Sequence, residues 1–416
     1  MRSRPNILWI VTTQWRASAC GFAGDPNART PHLDALAARS TNYTQAVTPH
    51  PFGPFARAAM LTGVPSPENG VRDYFDPLPT DARTIAHELR ARGYATAFFG
   101  KWHLARRDPT AALVGHAHAK TIVPPEARGG FETWEGFESG FLLNDPWLHG
   151  SRLPEPRQFR GYQSEVLCER AAEWIAAETE RNSKSEIQNW FALLSLEPPH
   201  PPYDAPAAGV AARDPREIVL PANVPRGGEI EARVRRELAG YYAHLEATDR
   251  ALGKILLPSV DAENTLVVFT SVHGDMHGAH GLLRKGWPHE ESVRVPLLIG
   301  GGRREAGGRK NDAAVSLVDL PELMRAEIDG ALAKSEKDFA RISMPSVVAL
   351  PHQCDRVWCG VRSPTRKLVL GPDGAPWLFF DLARDPLEQR NLVGEPRWRD
   401  EIESLRRLAS AVKINS

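Results

Sequence analysis

A chain of 416 residues, 42% of them hydrophobic, is long enough to bury a substantial core in one large domain or two unequal ones. Its 51 Lys and Arg balance its 51 Asp and Glu, so bulk charge gives no reason to expect a nucleic-acid or membrane-surface partner, and any electrostatic function must be local. The N-terminal MRSRPNILWIVTTQWR, interrupted by Asn6 and Gln14, lacks the apolar core and cleavage site of a leader, and no run approaches the roughly 20 apolar residues that span a bilayer. Cys20, Cys168, Cys354 and Cys359 have no metal-type spacing and are too few to staple the chain, so buried thiols in a reduced, cytoplasmic setting are expected.

Taken in chain order, NILWIVT (6–12), ATAFFG (95–100), WFALLSL (190–196), NTLVVFTS (264–271) and VPLLIG (295–300) are continuous apolar runs that predict strands buried on both faces. Helical periodicity lies between them. TDARTIAHELRARG (80–93) predicts a helix capped by Thr80 or Asp81 and closed by Gly93; residues 162–180 and 231–257 predict two longer ones. The Gly-, Pro- and His-rich stretch 108–160 is weakly periodic and reads as an insertion or lid. After about residue 345, DRVWCGVR, TRKLVLG and PWLFFDL, separated by turn residues, predict a small antiparallel sheet, followed by a helix near 397–412. The expected architecture is therefore α/β: a mainly parallel sheet between helices over residues 1–345, and an antiparallel subdomain over 346–416.

In open α/β sheets, ligands bind beyond the carboxyl ends of the strands. TTQWR, GKWH, EPPHPPY and VHGD each follow one of the predicted strands, so four strand ends point polar groups at one crevice. PNILWIVTTQWR, TPHLDALA, ARAAMLTG, FFGKWHL, EPPHPPY, TSVHGDMHGAHGLLRKGWPHEESVRVPLLI and FFDLARDPLEQRNL, in that order along nearly the whole chain, resemble the sulfatase family of the alkaline phosphatase superfamily. The resemblance is to the bacterial branch that holds arylsulfatases, choline-sulfatase-like proteins and phosphonate monoester hydrolases. It implies an alkaline-phosphatase-like three-layer sandwich. It also implies hydrolysis of sulfate- or phosphate-type esters with a divalent cation, Ca²⁺ or Mg²⁺, and a formylglycine nucleophile made from Cys or Ser.

The chemistry demands a hard cation held by carboxylates, a nucleophile on that cation, and basic groups around the developing charge. Laid on the family pattern, Thr12 and Thr13 stand where acids precede Gln14, and Val272 stands where Asp precedes His273. In PFGPFARAAMLTG the nucleophile position falls on Gly53 without a gap, or on Phe52 if Gly-Pro is kept in register; neither can become formylglycine. No Cys or Ser occurs between Asn42 and Val64. The basic half is kept: Arg57, Lys101, His103, His200 and Lys285 match the family's clamp, and His273 is the only retained metal ligand. Losing cation and carboxylates together avoids a repulsion of roughly 3 kcal/mol per acid pair at ~6 Å and an effective dielectric of ~20. The remaining crevice is expected to be distinctly positive.

Beside these, Asp275 reads as a structural acid accepting backbone N–H bonds, and Glu290 and Glu291 as supports of the turn that pair with Arg294. His277, His280 and His289 read as loop supports rather than a second metal cluster. Two functions follow. One is a catalytically impaired, anion-binding pseudo-sulfatase with no cofactor, taking a small anionic ligand of the sulfate- or phosphate-ester type. The other is an active ester hydrolase with a rearranged site, using Thr12, Thr13, Thr48 or His50 as nucleophile and Ca²⁺ or Mg²⁺ as cofactor. A homo-oligomer is common for enzymes of this type, and nothing in the sequence marks an interface.

Overall fold

The computed structural model describes residues 4–184, 189–261, 264–301, 308–331 and 337–410. Its strands are β1 (Asn6–Thr12), β2 (Ser40–Tyr43), β3 (Ala46–Val47), β4 (Ala95–Lys101), β5 (Thr133–Phe137), β6 (Trp147–Gly150), β7 (Leu153–Gln158), β8 (Trp190–Ser195), β9 (Thr265–Ser271), β10 (Leu297–Gly301), β11 (Arg309–Asn311), β12 (Val315–Ser316), β13 (Ala340–Met344), β14 (Trp358–Arg362), β15 (Arg366–Leu370) and β16 (Pro376–Asp381). The helices are α1 (Pro31–Ala37), α2 (Gly53–Thr62), α3 (Ile85–Ala91), α4 (His116–Ala119), α5 (Gln163–Lys184), α6 (Gly228–Asp261), α7 (Glu290–Val293), α8 (Leu320–Ile328) and α9 (Arg399–Ala409).

Ten strands form the main sheet in the order β11-β2-β10-β9-β1-β8-β4-β5-β6-β7. The five from β9 to β5 are mutually parallel. The alternation along β1 explains the three layers: Ile7, Trp9 and Val11 enter one core with residues of α2, α3 and α8, while Leu8 and Ile10 enter the other with residues of α1, α5 and α6. Each of these side chains is at most 1% exposed, worth roughly 1.5–3 kcal/mol apiece in transfer free energy. That is why the five predicted runs were apolar without a polar face.

Two elements differ from the sequence expectation. The first predicted helix starts later, at Ile85, because Thr84 rather than Thr80 or Asp81 provides the cap, its hydroxyl and the His87 side chain closing a capping box. The stretch 108–160 is not only a lid: β5 to β7 lie within it and extend the main sheet, with β5 parallel to β4 and the next two strands antiparallel. No helix among the described residues is long and apolar enough to cross a membrane.

The second sheet, β13-β14-β15-β16, is antiparallel throughout and includes a strand ahead of residue 346. Trp358 and Val369 face the main core, whereas Val361 and Leu368 face α9 and Ile402. Residues 411–412 of the predicted C-terminal helix lie outside the described residues. Polar groups also cross this junction. Arg362, 1% exposed, grips Glu290 through Nε (3.3 Å) and a terminal nitrogen (2.9 Å), and Lys367 Nζ lies 2.7 Å from the same carboxylate.

Replacing Arg362 by alanine should therefore cost about 3 kcal/mol, because a buried carboxylate loses its two-pronged partner. Urea unfolding followed by tryptophan fluorescence measures it; a loss under about 1 kcal/mol would show that Lys367 alone compensates the charge.

Candidate functional site

The parallel strands deliver their carboxyl ends to one edge, and the predicted residues meet there. Arg57 reaches in from α2, donating to Ser195 Oγ (2.6 Å) and to Thr13 Oγ1 (2.9 Å). Ser195 in turn donates to the Lys101 carbonyl (2.7 Å), and Thr13 to the Leu196 carbonyl (3.0 Å). Lys101 donates to Glu197 Oε1 at 2.6 Å, with both side chains at most 1% exposed. Its ammonium also sits 4.5 Å over the Phe141 ring, on which His200 stacks.

On the other side, Lys285 donates to Gln14 Oε1 (2.5 Å) and to His200 Nε2 (3.2 Å). The His200 Nδ1–H donates to the Pro201 carbonyl (2.7 Å), which leaves Nε2 as the acceptor. His273 likewise donates through Nδ1 to the Gly274 carbonyl (2.8 Å), and its Nε2 has no partner among the described residues. Asp275 accepts from the Gln14 side chain, from Tyr203 Oη (2.8 Å) and from the His277 backbone (3.0 Å), so it is the structural acid expected of it.

Burial sets the protonation states. It pulls Lys285 down to about 7, against the opposing pull of Asp275, and Lys101 down to about 8, against Glu197. Arg57 falls to about 10 for the same reason. His103, His200 and His273 are all held well below the ordinary imidazole value, by burial first and by nearby cations second, and are neutral.

At the head of α2, Phe52 occupies the N-cap in extended conformation and packs edge-on against Tyr74, while Lys285 Nζ lies 5.5 Å from its ring centre. Gly53 is the position that faces the crevice. A Cβ built on it would lie 2.9 Å from His103 Nδ1, closer than Cβ contacts are found. The imidazole thus stands in the space a side chain at residue 53 would need. Neither of its ring nitrogens has a hydrogen-bond partner among the described residues, and its backbone is in the left-handed region (φ 62°), as is that of Gln14 (φ 66°).

Val272, one residue past β9, is fully buried, with its backbone N–H on the Thr12 carbonyl (2.9 Å). Thr12 Oγ1 points back to the Thr270 carbonyl (3.3 Å). Thr48 and His50 are turned to other work: Thr48 donates to the His50 carbonyl (2.9 Å), and His50 accepts from the Ser66 backbone (2.9 Å) through Nε2. Of the four alternative nucleophiles, only Thr13 touches the basic cluster.

The crevice is less positive than the sequence suggests, because Glu197 neutralises Lys101. That acid was missed. It stands in EPPHPPY, one residue past the buried run 190–196, and the signal was its place at a strand end beside the end that carries Lys101. Glu291 also departs from expectation: it accepts from Asn223 Nδ2 (2.7 Å) and lies 4.0 Å from Arg16, while only Glu290 comes near Arg294, at 3.8 Å.

A mainly parallel sheet between helices, with polar groups from four strand ends in one crevice, defines an alkaline-phosphatase-like α/β protein. The crystal structures of yidJ from Bacteroides fragilis, described as a sulfatase, and of a phosphonate monoester hydrolase of Agrobacterium radiobacter share this fold. Their TM-scores are 0.84 and 0.71 at 22% and 20% identity; the matches cover 99% and 98% of this chain and 96% and 95% of theirs. The sulfatase family model matches residues 5–324, and an ulvan-active sulfatase from Formosa agariphila is 34% identical over 421 residues, spanning 95% of this chain and 78% of its own length. The chain belongs to the sulfatase family.

If His103 fills the place of a residue-53 side chain, Gly53→Ser should lose about 2 kcal/mol through overpacking. The loss should shrink in a His103→Ala background, measured as a coupling energy between the two substitutions. Equal costs in both backgrounds would place the imidazole elsewhere in solution.

Proposed function

We propose that this sulfatase-family protein is an anion-binding protein of impaired catalysis, taking a small ligand of the sulfate- or phosphate-ester type. The observation that carries this reading is Gly53 with His103 against it: the residue facing the crevice has no side chain, and the space for one is taken. The metal side supports it. Ca²⁺ takes six to eight oxygen ligands and Mg²⁺ an octahedral oxygen set. The crevice offers instead one imidazole nitrogen on His273, the Thr13 hydroxyl already engaged, and a single Glu197 carboxylate with Oε1 on Lys101 and Oε2 without a partner among the described residues, while Val272 offers nothing. These residues do not fit a hard cation.

What they fit is an anion. Arg57 keeps a buried Nε without a partner and spends its other donors on neutral hydroxyls, so its charge has no carboxylate in contact. Lys285 donates to an amide oxygen and a neutral imidazole, both weaker acceptors than a sulfate or phosphate oxygen. An entering anion would exchange these neutral acceptors for charged ones and would keep both lysines protonated. A reduced, cytoplasmic setting accords with four cysteines that are buried and free.

The hydrolase reading has one observation in its favour: the Thr13 hydroxyl accepts from Arg57 at 2.9 Å, so an alkoxide there would face a guanidinium. Thr13 would need a base. Glu197 gives Oε1 to Lys101 and keeps Oε2 without a partner among the described residues, and a Ca²⁺ or Mg²⁺ cofactor would need more oxygen ligands than the crevice supplies.

Inorganic sulfate binding measured by calorimetry separates the readings. Because Lys285 and Lys101 lose their protons near 7 and 8, affinity should be highest below pH 7 and fall at least about tenfold by pH 9, with proton uptake on binding in between. Lys285→Met should abolish the lower part of that pH dependence. Cation-dependent turnover of an aryl sulfate by clean protein, lost in Thr13→Val, would put the hydrolase first. The combined change Gly53→Cys, Thr13→Asp and Val272→Asp should restore cation binding only if His103 is also reduced in size.

A further inference from the structure

We propose that His280, Glu291 and Glu388 form a second site, separate from the crevice, that binds a divalent cation of the first transition row such as Zn²⁺ or Mn²⁺. One ligand atom from each lies within 4.8 Å of the others. The three come from different parts of the chain: His280 from the turn after the VHGD segment, Glu291 from α7, and Glu388 from the loop after β16.

The chemistry is mixed, one imidazole with two carboxylates, which suits zinc or manganese better than the all-oxygen shell calcium wants. A cluster of acids alone would be weak ground, but Glu291 adds an independent fact. It is 7% exposed, Asn223 serves only its Oε1, and Oε2 has no hydrogen-bond partner among the described residues. A buried carboxylate oxygen left without a donor is costly, and a cation would answer it.

The surroundings offer further donors. Asn223 Nδ2 lies 3.3 Å from His280 Nε2, and its own Oδ1 is buried without a partner, so the amide can present oxygen to a cation with a simple turn. The His289 ring packs 4.4 Å from that of His280, with an unpartnered Nδ1. Glu388 accepts the Glu290 backbone N–H through Oε2 (2.8 Å), and Lys367 Nζ lies 2.7 Å from its Oε1. Of the three residues, Glu291 also lines a cavity of about 290 Å³, together with Arg16 and Leu387.

Titration of the full-length, chelator-treated protein with Zn²⁺ and with Mn²⁺ tests the proposal. One equivalent of Zn²⁺ or Mn²⁺ should bind, and affinity should fall at least tenfold in Glu291→Gln and in His280→Ala, with far-ultraviolet circular dichroism confirming that both variants fold. Sulfate binding in the crevice should be unchanged in Glu291→Gln, which keeps failure here distinct from failure of the anion-binding reading. Should a variant not fold, anomalous scattering from wild-type crystals soaked in Zn²⁺ or Mn²⁺ decides: a peak within ligand distance of His280, Glu291 and Glu388 supports the site. Binding that neither substitution weakens, or a peak only elsewhere, overturns it.

Discussion

The arrangement of the crevice depends on the Lys101–Glu197 ion pair, 2.6 Å long and shut away from water. Two charges brought that deep cost several kcal/mol each in lost hydration, which is repaid only where geometry and added hydrogen bonds are good. The geometry is good and the flanking backbone is well bonded, although Glu197 Oε2 itself has no hydrogen-bond partner among the described residues. The carboxylate follows β8, the ammonium ends β4, the Ser195 hydroxyl bonds the Lys101 carbonyl beside them, and the Glu197 backbone N–H is taken by Gln163 Oε1 (2.8 Å). Phe141 and His200 then close over the pair as a stacked lid. Removing either charge would strand the other, so the pair fixes how the two strand ends sit.

This constraint also decides which cations remain available. Lys101 is half spent on Glu197, whereas Arg57 and Lys285 meet only neutral acceptors. Acids at residues 13 and 272 would have changed that balance. Arg57 would face a carboxylate at residue 13, whereas threonine leaves it with neutral partners only. Asp275 can stay because an amide, a phenol and a backbone N–H all donate to it.

The fold was legible because a parallel sheet covered on both faces writes itself as uninterrupted apolar runs, and β1, β4, β8, β9 and β10 all carry one. The strands β5 to β7 carry none. LPEPRQ has two prolines and two charges, and reads as loop until its neighbour gives it a register. The clamp residues were legible as motifs at strand ends. Glu197 was not, because one acid in a proline-rich turn has no periodicity to betray its partner on another strand. Nor could the sequence reveal that His103 takes the room left by Gly53, since that is a fact of side-chain placement across a left-handed backbone. The trio His280, Glu291 and Glu388 was hidden for a simpler reason: one member comes from beyond the sheet junction.

That junction bears on the crevice itself. The Lys285 backbone N–H donates to Gln353 Oε1 (3.1 Å), and its carbonyl accepts from the Cys354 N–H (3.3 Å), so the connection between β13 and β14 holds the lysine from both sides of its peptide. A few residues on, Glu290 turns toward Arg362 and Lys367 while Glu291 turns toward Asn223 and Arg16, as neighbours on a helical turn must, being about 100° apart. The stretch from Lys285 to Glu291 is therefore anchored on two faces, to the small sheet and to the body. An ammonium near its neutral point at pH 7 binds an anion well only if its position costs nothing to hold. The C-terminal sheet supplies that fixity to Lys285, although none of its strands enters the crevice.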